Sequence, residues 1–354
     1  MQTIAANCNV YAADNIVDDL TALLEKYPQE AVFMMADEGS MAHCAAALAQ
    51  VEKISRERTI VIPQGDDNKN VTSAMQIWEF LSSHGATRKS LLINLGGGMP
   101  CDLGGFCAST FKRGIDFINI PTTLLAQVDA SLGGKTGMNL GGLKNEIGVF
   151  SIANAVIVDG SFLKTLDKDN LLSGFAEMLK HALIFNASAL EELIKFDFEH
   201  PNYTELQLLV CDSIRMKNHF VTADPTEKGI RKALNFGHTF GHAFETFAMR
   251  HNRPILHGFA VAYGMVCELI FSGMKLGLNS ADIQRIANFI ISKYGKFDFS
   301  ESDFPELVEL MTHDKKNDAA GINFTLLPQL GTIQINQIGT PAEITEVLSN
   351  FLKY

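Results

Sequence analysis

The first half of the chain alternates short apolar runs with longer helical patterns, and this alternation most limits the possible folds. The apolar runs are typical of buried strands and lie at 31–37, 59–63, 90–98, 117–123 and 155–159. Helical patterns lie between them, for example at 40–51 and 71–83. Short strands separated by helices predict βαβ units and a mostly parallel sheet. Ligand sites in such sheets lie at the carboxyl ends of the strands.

The second half of the chain has a different pattern. It is helical from about residue 166 to 300, and two strand-like pieces at 322–327 and 332–338 precede a last helix. A length of 354 residues favours two domains at about 150 residues each. We therefore predict an α/β fold with a Rossmann-like, mostly parallel sheet domain over 1–165. A mainly α-helical, metal-binding domain is predicted over 166–354.

Charge and composition exclude several classes of protein. The net charge of -11 argues against a nucleic-acid binder, and local basic clusters in such a chain are more typical of a pocket for a small anion. The longest apolar stretches carry a glutamate or are too short for a membrane span, and no secretory signal is expected. Six scattered cysteines without a CxxC motif predict reduced thiols in a cytoplasmic protein.

Glycine is concentrated in one part of the predicted sheet domain. Twelve of the 28 glycines lie between Gly96 and Gly148, which favours close approach of the backbone to a ligand. The strand that runs into GGGMPCDLGG fits a dinucleotide-binding turn and an ordinary βα turn equally well, because Cys101 occupies the third glycine position. GGKTG is not a P-loop, since Asp129 stands where that motif begins. Lys135, Lys144 and Asn145 remain as polar residues of a predicted loop.

Two helical motifs in the second half carry candidate ligands. Glu177 and Lys180 lie on one face of an apolar helix, where an ordinary intrahelical ion pair is the simpler interpretation. His238 and His242 are four residues apart on one helical face, and His257 follows. A histidine cluster interleaved with glycines favours a metal or anion site, although the HExxH metalloprotease motif is absent.

Taken together, ordered blocks from about residue 60 to 330 resemble the 3-dehydroquinate synthases, a family of sugar phosphate cyclases. The blocks that carry the resemblance include GGGMPCDLGGF, ASLGGKTGMN, SGFAEMLKHAL, KALNFGHTFGHAFE, LHGFAVAYGM and DKKN. The resemblance implies that 1–165 binds NAD and that 166–354 binds zinc, with cobalt as a possible substitute, and the substrate. It also implies a homodimer.

The resemblance implies roles for individual residues. The implied zinc ligands are Glu177, His238 and His257. Positions that match substrate-binding residues are Asp129, Lys135, Asn145, Lys180, Lys217, Arg231, Asn235, His242, and one or both of Lys315 and Lys316. Arg113 matches an arginine that reaches the neighbouring subunit's site. Positions that match NAD contacts are Asp66, Lys69, Gly97, Gly98, Asp102, Thr122, Thr123, Lys135, Lys144, Phe162, Leu163, Lys164 and Thr165.

The chain departs from the family pattern at three positions. Asp66 stands where a glutamate usually meets the adenosine ribose, and Cys101 replaces a glycine near the pyrophosphate. Phe259 follows His257-Gly258 where the family commonly has glutamate. The loss of that carboxylate is expected to affect the orientation of a ligand histidine.

The implied reaction converts 3-deoxy-arabino-heptulosonate 7-phosphate to 3-dehydroquinate and phosphate, a step towards aromatic amino acids. It proceeds by transient oxidation by NAD, phosphate elimination, reduction and intramolecular aldol closure. The chain is then a phosphorus–oxygen lyase. The alternatives are another sugar phosphate cyclase, an NAD- and metal-dependent polyol dehydrogenase, or a non-catalytic binding protein of the same fold.

Overall fold

The computed structural model describes residues 1–141, 143–312 and 321–354. These residues form two compact units. The first comprises Met1–Asp167 and Asn202–Asn218, and the second comprises Lys168–Pro201 and His219–Tyr354. The segment Asn202–Asn218, which the sequence placed in the second domain, thus belongs to the first unit.

The first unit is built on a seven-stranded sheet in the order β1-β2-β9-β6-β5-β3-β4. Its strands are β1 Gln2–Ala5, β2 Val10–Ala12, β3 Val32–Asp37, β4 Thr59–Ile62, β5 Leu91–Gly96, β6 Asp116–Pro121 and β9 Ala155–Val158. All neighbouring pairs are parallel except β1 and β2. The predicted parallel sheet is confirmed, and its five predicted strands are β3, β4, β5, β6 and β9.

Helices connect the strands of this sheet. They are α1 Ile16–Leu24, α2 Glu38–His43, α3 Val71–Ser83 and α4 Gly98–Thr110, and the unit also contains most of α7 Tyr203–Ala223. Asn15 and Asn70 cap α1 and α3 by accepting hydrogen bonds from the first free backbone amides. The helix predicted at 40–51 was too long, because α2 ends at His43 and a separate 3₁₀ turn covers Ala45–Leu48.

A β-hairpin lies where the sequence predicted a loop. Strand β7, Lys135–Leu140, pairs antiparallel with β8, Leu143–Phe150. Gly137 and Gly148 face each other in this pair, and a Cβ at either would lie 2.5 Å from a carbonyl oxygen of the partner strand. These two glycines therefore let two strands approach closely, whereas the sequence analysis expected the glycine cluster to approach a ligand.

The second unit is mainly helical, as predicted. Its helices are α5 Lys168–Phe185, α6 Ala187–Lys195, the end of α7, α8 His238–Arg250, α9 His257–Leu276, α10 Ser280–Tyr294, α11 Phe304–Thr312 and α12 Pro341–Phe351. A hairpin of β10 Ile322–Gln329 and β11 Thr332–Gly339 completes the described part of this unit. Thr340 and Glu343 form a capping box at the start of α12.

Among the described residues, α9 is the one helix whose length and composition would be sufficient to cross a membrane. The sequence analysis excluded a membrane span because the apolar stretches carry a glutamate or are too short; α9 has 20 residues and contains Glu268. In the fold, 72% of an apolar 18-residue stretch of this helix is buried within the protein. Burial to this extent is typical of the core helix of a helical domain.

Candidate active site

The residues matched to NAD contacts follow the carboxyl ends of neighbouring parallel strands. Asp66 and Lys69 come after β4, Gly97, Gly98 and Asp102 after β5, Thr122 and Thr123 after β6, and Phe162, Leu163, Lys164 and Thr165 after β9. Because these strands are parallel, their carboxyl ends lie at one edge of the sheet. The fold therefore brings this predicted set to one edge.

Glycines shape the turn from β5 into α4. The backbone of Gly97 caps α4 without a side chain, and the helix starts at Gly98. A Cβ on Gly97 would lie 3.1 Å from Thr123, and one on Gly98 would lie 3.1 Å from Ala130. The first amides of a helix attract anions, so this turn has the geometry for a pyrophosphate.

Lys69 is a buried cation at this edge of the sheet. Its Nζ donates to Asp102 Oδ2 and to Asn145 Oδ1, each at 2.5 Å. Burial raises the pKa of Asp102, and the ammonium of Lys69 opposes that shift. Asn139 of β7 donates to the backbone carbonyl of Asp66 at 3.1 Å. The hairpin β7–β8 thus supplies polar groups to the edge.

Lys144 and Lys135, the other cations matched in this region, are exposed on the hairpin. Lys144 Nζ lies 3.5 Å from the carboxylate of Asp66. The exposed Arg113 has a left-handed backbone with φ of 70°. Lys315 and Lys316 lie outside the described residues.

Lys217 is a further buried cation of the first unit, and it pairs with the partly exposed Asp129. Lys217 is 5% exposed, and its Nζ donates to the Asp129 carbonyl at 2.6 Å and to Asp129 Oδ1 at 2.7 Å. Asp129 lies in a π-helical turn, Ala126–Ala130, a distortion that is frequent at functional sites. The structure therefore joins two residues that sequence reasoning assigned separately to substrate binding.

Arg231 and Asn235 of the second unit lie on a 3₁₀ turn, Ile230–Asn235. Arg231 is 2% exposed, and its guanidinium donates to the Pro225 carbonyl at 2.7 Å. Asn235 donates to Glu227 Oε1 at 3.0 Å. Glu227, whose backbone is left-handed, was missed by sequence reasoning. Glu227 lies four residues before Arg231, but a spacing of four indicates a shared face only within a helix, and Glu227 lies outside one.

The three predicted metal ligands lie together in the second unit. Nε2 of His238 is 3.4 Å from Glu177 Oε1, and Nε2 of His257 is 3.7 Å from the same oxygen. One ligand atom from each residue lies within 4.8 Å of the others. Zinc bonds of about 2.0–2.2 Å at tetrahedral angles place ligand atoms about 3.3–3.6 Å apart, so the three residues fit zinc.

Both ligand histidines are oriented by a contact at the other ring nitrogen. His238 Nδ1 lies 3.1 Å from the Phe236 carbonyl, which only accepts, so Nδ1 carries the proton and Nε2 presents a lone pair. His257 Nδ1 lies 3.2 Å from Glu245 Oε2. Glu245 therefore places a carboxylate at the second ring nitrogen of His257. Phe259 packs on Tyr294.

Lys180 pairs with Glu177 in the buried interior of α5, so the ion pair predicted as the simpler interpretation exists beside the ligand set. His242 lies on the face of α8 that carries His238, and its ring centroid is 5.4 Å from His238 and 6.0 Å from His257. The second unit thus places one ammonium and two imidazoles at the Glu177 carboxylate, with the His242 ring beside those two imidazoles.

Close packing of α5, α8 and α9 brings the ligands together. A Cβ on Gly258 of α9 would lie 1.9 Å from the Ser173 carbonyl of α5. A Cβ on Gly264 of α9 would lie 1.9 Å from the Gly237 carbonyl, at the start of α8. Only glycine permits such approaches, so these positions set the separation of the helices that carry the ligands.

Glu268 is a fully buried carboxylate on α9 that caps α8. Its Oε2 accepts from the Gly237 amide at 2.7 Å and its Oε1 from the Thr239 amide at 3.2 Å, on either side of His238. A carboxylate at the start of a helix stabilises the helix dipole. Sequence reasoning used this glutamate only to exclude a membrane span, although a charge within an apolar run is itself a signal of a buried partner.

Glu268→Gln is expected to lower the free energy of unfolding by about 2–3 kcal/mol, because an amide nitrogen would face a buried donor and leave it unpaired. Urea denaturation followed by circular dichroism measures the change. The exposed Glu309→Gln on α11 is the control and should stay within about 0.5 kcal/mol of the parent. Equal stability of the two variants would contradict the capping role.

The chain is similar in sequence to the proteins of one known family. The family model described as 3-dehydroquinate synthase N-terminal matches residues 59–173, and the one described as 3-dehydroquinate synthase C-terminal matches 174–317. A 3-dehydroquinate synthase of Parabacteroides distasonis is 45% identical over 339 residues, which is 96% of each chain.

Two synthases of known structure have the same fold. A 2-deoxy-scyllo-inosose synthase, complexed with carbaglucose-6-phosphate, NAD+ and Co2+, has a TM-score of 0.84 and 22% identity, with 96% of each chain covered. The 2-epi-5-epi-valiolone synthase of Streptomyces hygroscopicus, with NAD+ and Zn2+ bound, has a TM-score of 0.82 and 21% identity over 97% of this chain and 96% of that one.

The chain thus has the fold of these two synthases. Both parts of the chain match one family's models, and the bacterial relative is similar along nearly its whole length. The chain belongs to the 3-dehydroquinate synthase family.

Proposed function

We propose that the chain acts as a 3-dehydroquinate synthase, releasing phosphate from 3-deoxy-arabino-heptulosonate 7-phosphate and closing the carbocycle. The observation that carries the proposal is the 45% identity with a 3-dehydroquinate synthase over 96% of both chains. The site supports it, because buried cations suit a substrate with a carboxylate and a phosphate.

NAD and zinc are the proposed cofactors. The edge residues Gly97, Gly98, Thr122 and Lys69 would hold NAD, and Glu177, His238 and His257 would hold zinc. Zinc, when bound, supplies a Lewis acid for a substrate oxygen, and NAD supplies a reversible hydride acceptor. The donor set of two imidazoles and a carboxylate supports zinc, with cobalt as a substitute of similar ligand preference.

The chain's own residues would bind the substrate and restrict its conformation. Lys217 and Arg231 would hold the carboxylate, and Lys180 and His242 the groups near the metal ligands. Asp129 keeps Lys217 in place through two contacts. A fixed conformer brings the reacting groups together without a further entropic cost, so much of the rate enhancement would come from orientation.

The test is phosphate release from the heptulosonate phosphate, with and without NAD+ and with and without a chelator. Release that requires both NAD+ and the metal, with no net rise of absorbance at 340 nm (the NADH signal), is the expected result. A steady rise of that absorbance with a simple polyol would instead identify a dehydrogenase. Release only from a sugar phosphate without a carboxylate would identify a different cyclase.

Lys217→Ala is expected to lower kcat/KM about a hundredfold, because a charge-assisted contact with the substrate carboxylate contributes about 1.5–3 kcal/mol. Steady-state phosphate release gives the value, and a thermal melt reports the fold. Lys195→Ala, which removes an exposed lysine paired with Glu192, is the matched control. An unchanged kcat/KM for Lys217→Ala would argue against the carboxylate role.

A homodimer is the proposed assembly. Hairpin β7–β8 and the residues after it expose large apolar side chains, among them Leu143, Phe150 and Ile152, each more than half exposed in the single chain. Clustered exposed apolar side chains are typical of interfaces, and this cluster supports the proposed dimer. Light scattering should give about twice the chain mass of 38.8 kDa; a monomer would exclude a role for Arg113 in a neighbouring site.

The proposed location is the cytoplasm. All six cysteines are among the described residues and are buried. Burial raises the pKa of the thiols of Cys101 and Cys267 well above the usual value. Such thiols suit a reducing compartment, which supports the proposal.

A further inference from the structure

The second ring nitrogen of His257 contacts a carboxylate that sequence reasoning did not assign. His257 Nδ1 is 3.2 Å from Glu245 Oε2, while Nε2 of the same ring faces Glu177. The Glu245 side chain is 11% exposed, so the contact is largely shielded from water. The inference below rests on the zinc site proposed above.

The contact selects one tautomer of His257. A carboxylate accepts hydrogen bonds, so the ring proton of a neutral His257 belongs on Nδ1 and the lone pair on Nε2. That lone pair is directed to the side of the ring where Glu177 lies. A carboxylate on the far nitrogen also raises the basicity of the coordinating one, which strengthens its bond to a metal.

The fold holds the two residues of this contact in place. Glu245 lies on the face of α8 that also carries His238 and His242, seven and three residues after them. His257 is the first residue of α9. A Cβ on Gly241 of α8 would lie 3.0 Å from the Ala260 carbonyl, so the two helices approach closely beside the contact.

The two ligand histidines differ in what orients them. His238 is oriented by a backbone carbonyl, which no side-chain substitution removes. The His257 side chain is 30% exposed and lies in the first turn of α9. Its ring therefore has more orientational freedom for the Glu245 carboxylate to restrict. We propose that Glu245 is a positioning residue that fixes the tautomer and ring orientation of His257 and thereby raises zinc affinity.

The test measures zinc affinity directly, by competition with a chromophoric chelator, for the full-length parent, Glu245→Gln and Glu245→Ala. Loss of an orienting carboxylate typically weakens metal binding 10–100-fold, so an increase of Kd in that range is expected for both variants. The visible absorption of the cobalt-loaded proteins gives a second readout, because a changed ligand orientation alters the band. Glu245→Gln has nearly the parent volume and serves where Glu245→Ala does not fold.

Glu306→Gln is the matched control. Glu306 Oε2 lies 3.1 Å from His251 Nε2, an exposed histidine–carboxylate contact in the same unit but away from the ligands. Its zinc Kd should stay within twofold of the parent. Parent-like Kd values and cobalt spectra for both Glu245 variants would overturn the positioning role. If the His257→Ala variant has the same zinc Kd as the parent, the proposed zinc site itself is wrong.

Discussion

His238→Ala is expected to lose about a thousandfold in the rate of phosphate release while it keeps the fold. The variant removes one of three ligand side chains that face each other across 3.4–3.7 Å. Lewis-acid stabilisation by a bound metal contributes several kcal/mol to the transition state, and about 4 kcal/mol corresponds to about a thousandfold. The His238 side chain is 12% exposed, so its removal also leaves a cavity, and a thermal melt measures the loss of stability that this causes.

Two measurements separate the metal from the fold in this experiment. Metal content per chain should fall in His238→Ala, and a thermal melt should show a transition close to that of the chelated parent. Added zinc should restore the chelated parent but leave the variant inactive. His200→Ala, which removes an exposed histidine bound to Asp197, should release phosphate at the parent rate. Full activity of His238→Ala with bound zinc would mean that the ligand set is wrong.

Gly258→Ala is expected to destabilise the protein by about 3 kcal/mol or more. The added Cβ would lie 1.9 Å from the Ser173 carbonyl oxygen, and backbone atoms have no rotamer by which to yield. Overpacking a dense interior typically costs 1–3 kcal/mol and occasionally more. For a unit of this size, about 3 kcal/mol lowers Tm by roughly 6–12 °C.

The matched control for this substitution lies on the same helix. At Gly273, a Cβ would meet only the terminal methyl of Ile283 at 2.6 Å, which a rotamer change relieves. Alanine also favours a helix over glycine by about 1 kcal/mol, so Gly273→Ala should remain within about 1 kcal/mol of the parent. Differential scanning calorimetry compares the two. If Gly258→Ala melts at the parent temperature, α5 and α9 separate without cost.

The sequence predicts the sheet well because buried parallel strands are continuous apolar runs. Strands β3, β5 and β9 all fit that rule. Strand β8 does not, since nearly all its side chains are exposed and it has no apolar period. Its pairing with β7 depends on glycines that allow two backbones to meet, and glycine content alone predicts a turn equally well.

The candidate site likewise contains some residues that the sequence predicts and others that become evident only in the fold. Glu177, His238 and His257 are predicted through the family resemblance, and their spacing alone left a metal or an anion open. The orienting partners Glu245 and Glu268 act across helices, on residues 12 and 31 positions away. Such contacts arise only when α8 and α9 pack, so no local pattern reveals them. The Glu177–Lys180 pair is the opposite case, because helix geometry alone brings it together.

Two of the three ligands are the opening residues of their helices, His238 in α8 and His257 in α9. Helix ends are where a folded chain frays first, since their terminal amides lack partners within the helix. A cation held there would join the starts of α8 and α9 to Glu177 in the middle of α5, in addition to the cap that Glu268 provides. Loss of the metal would then lower the activity of the protein and would also make the chain more susceptible to proteolysis.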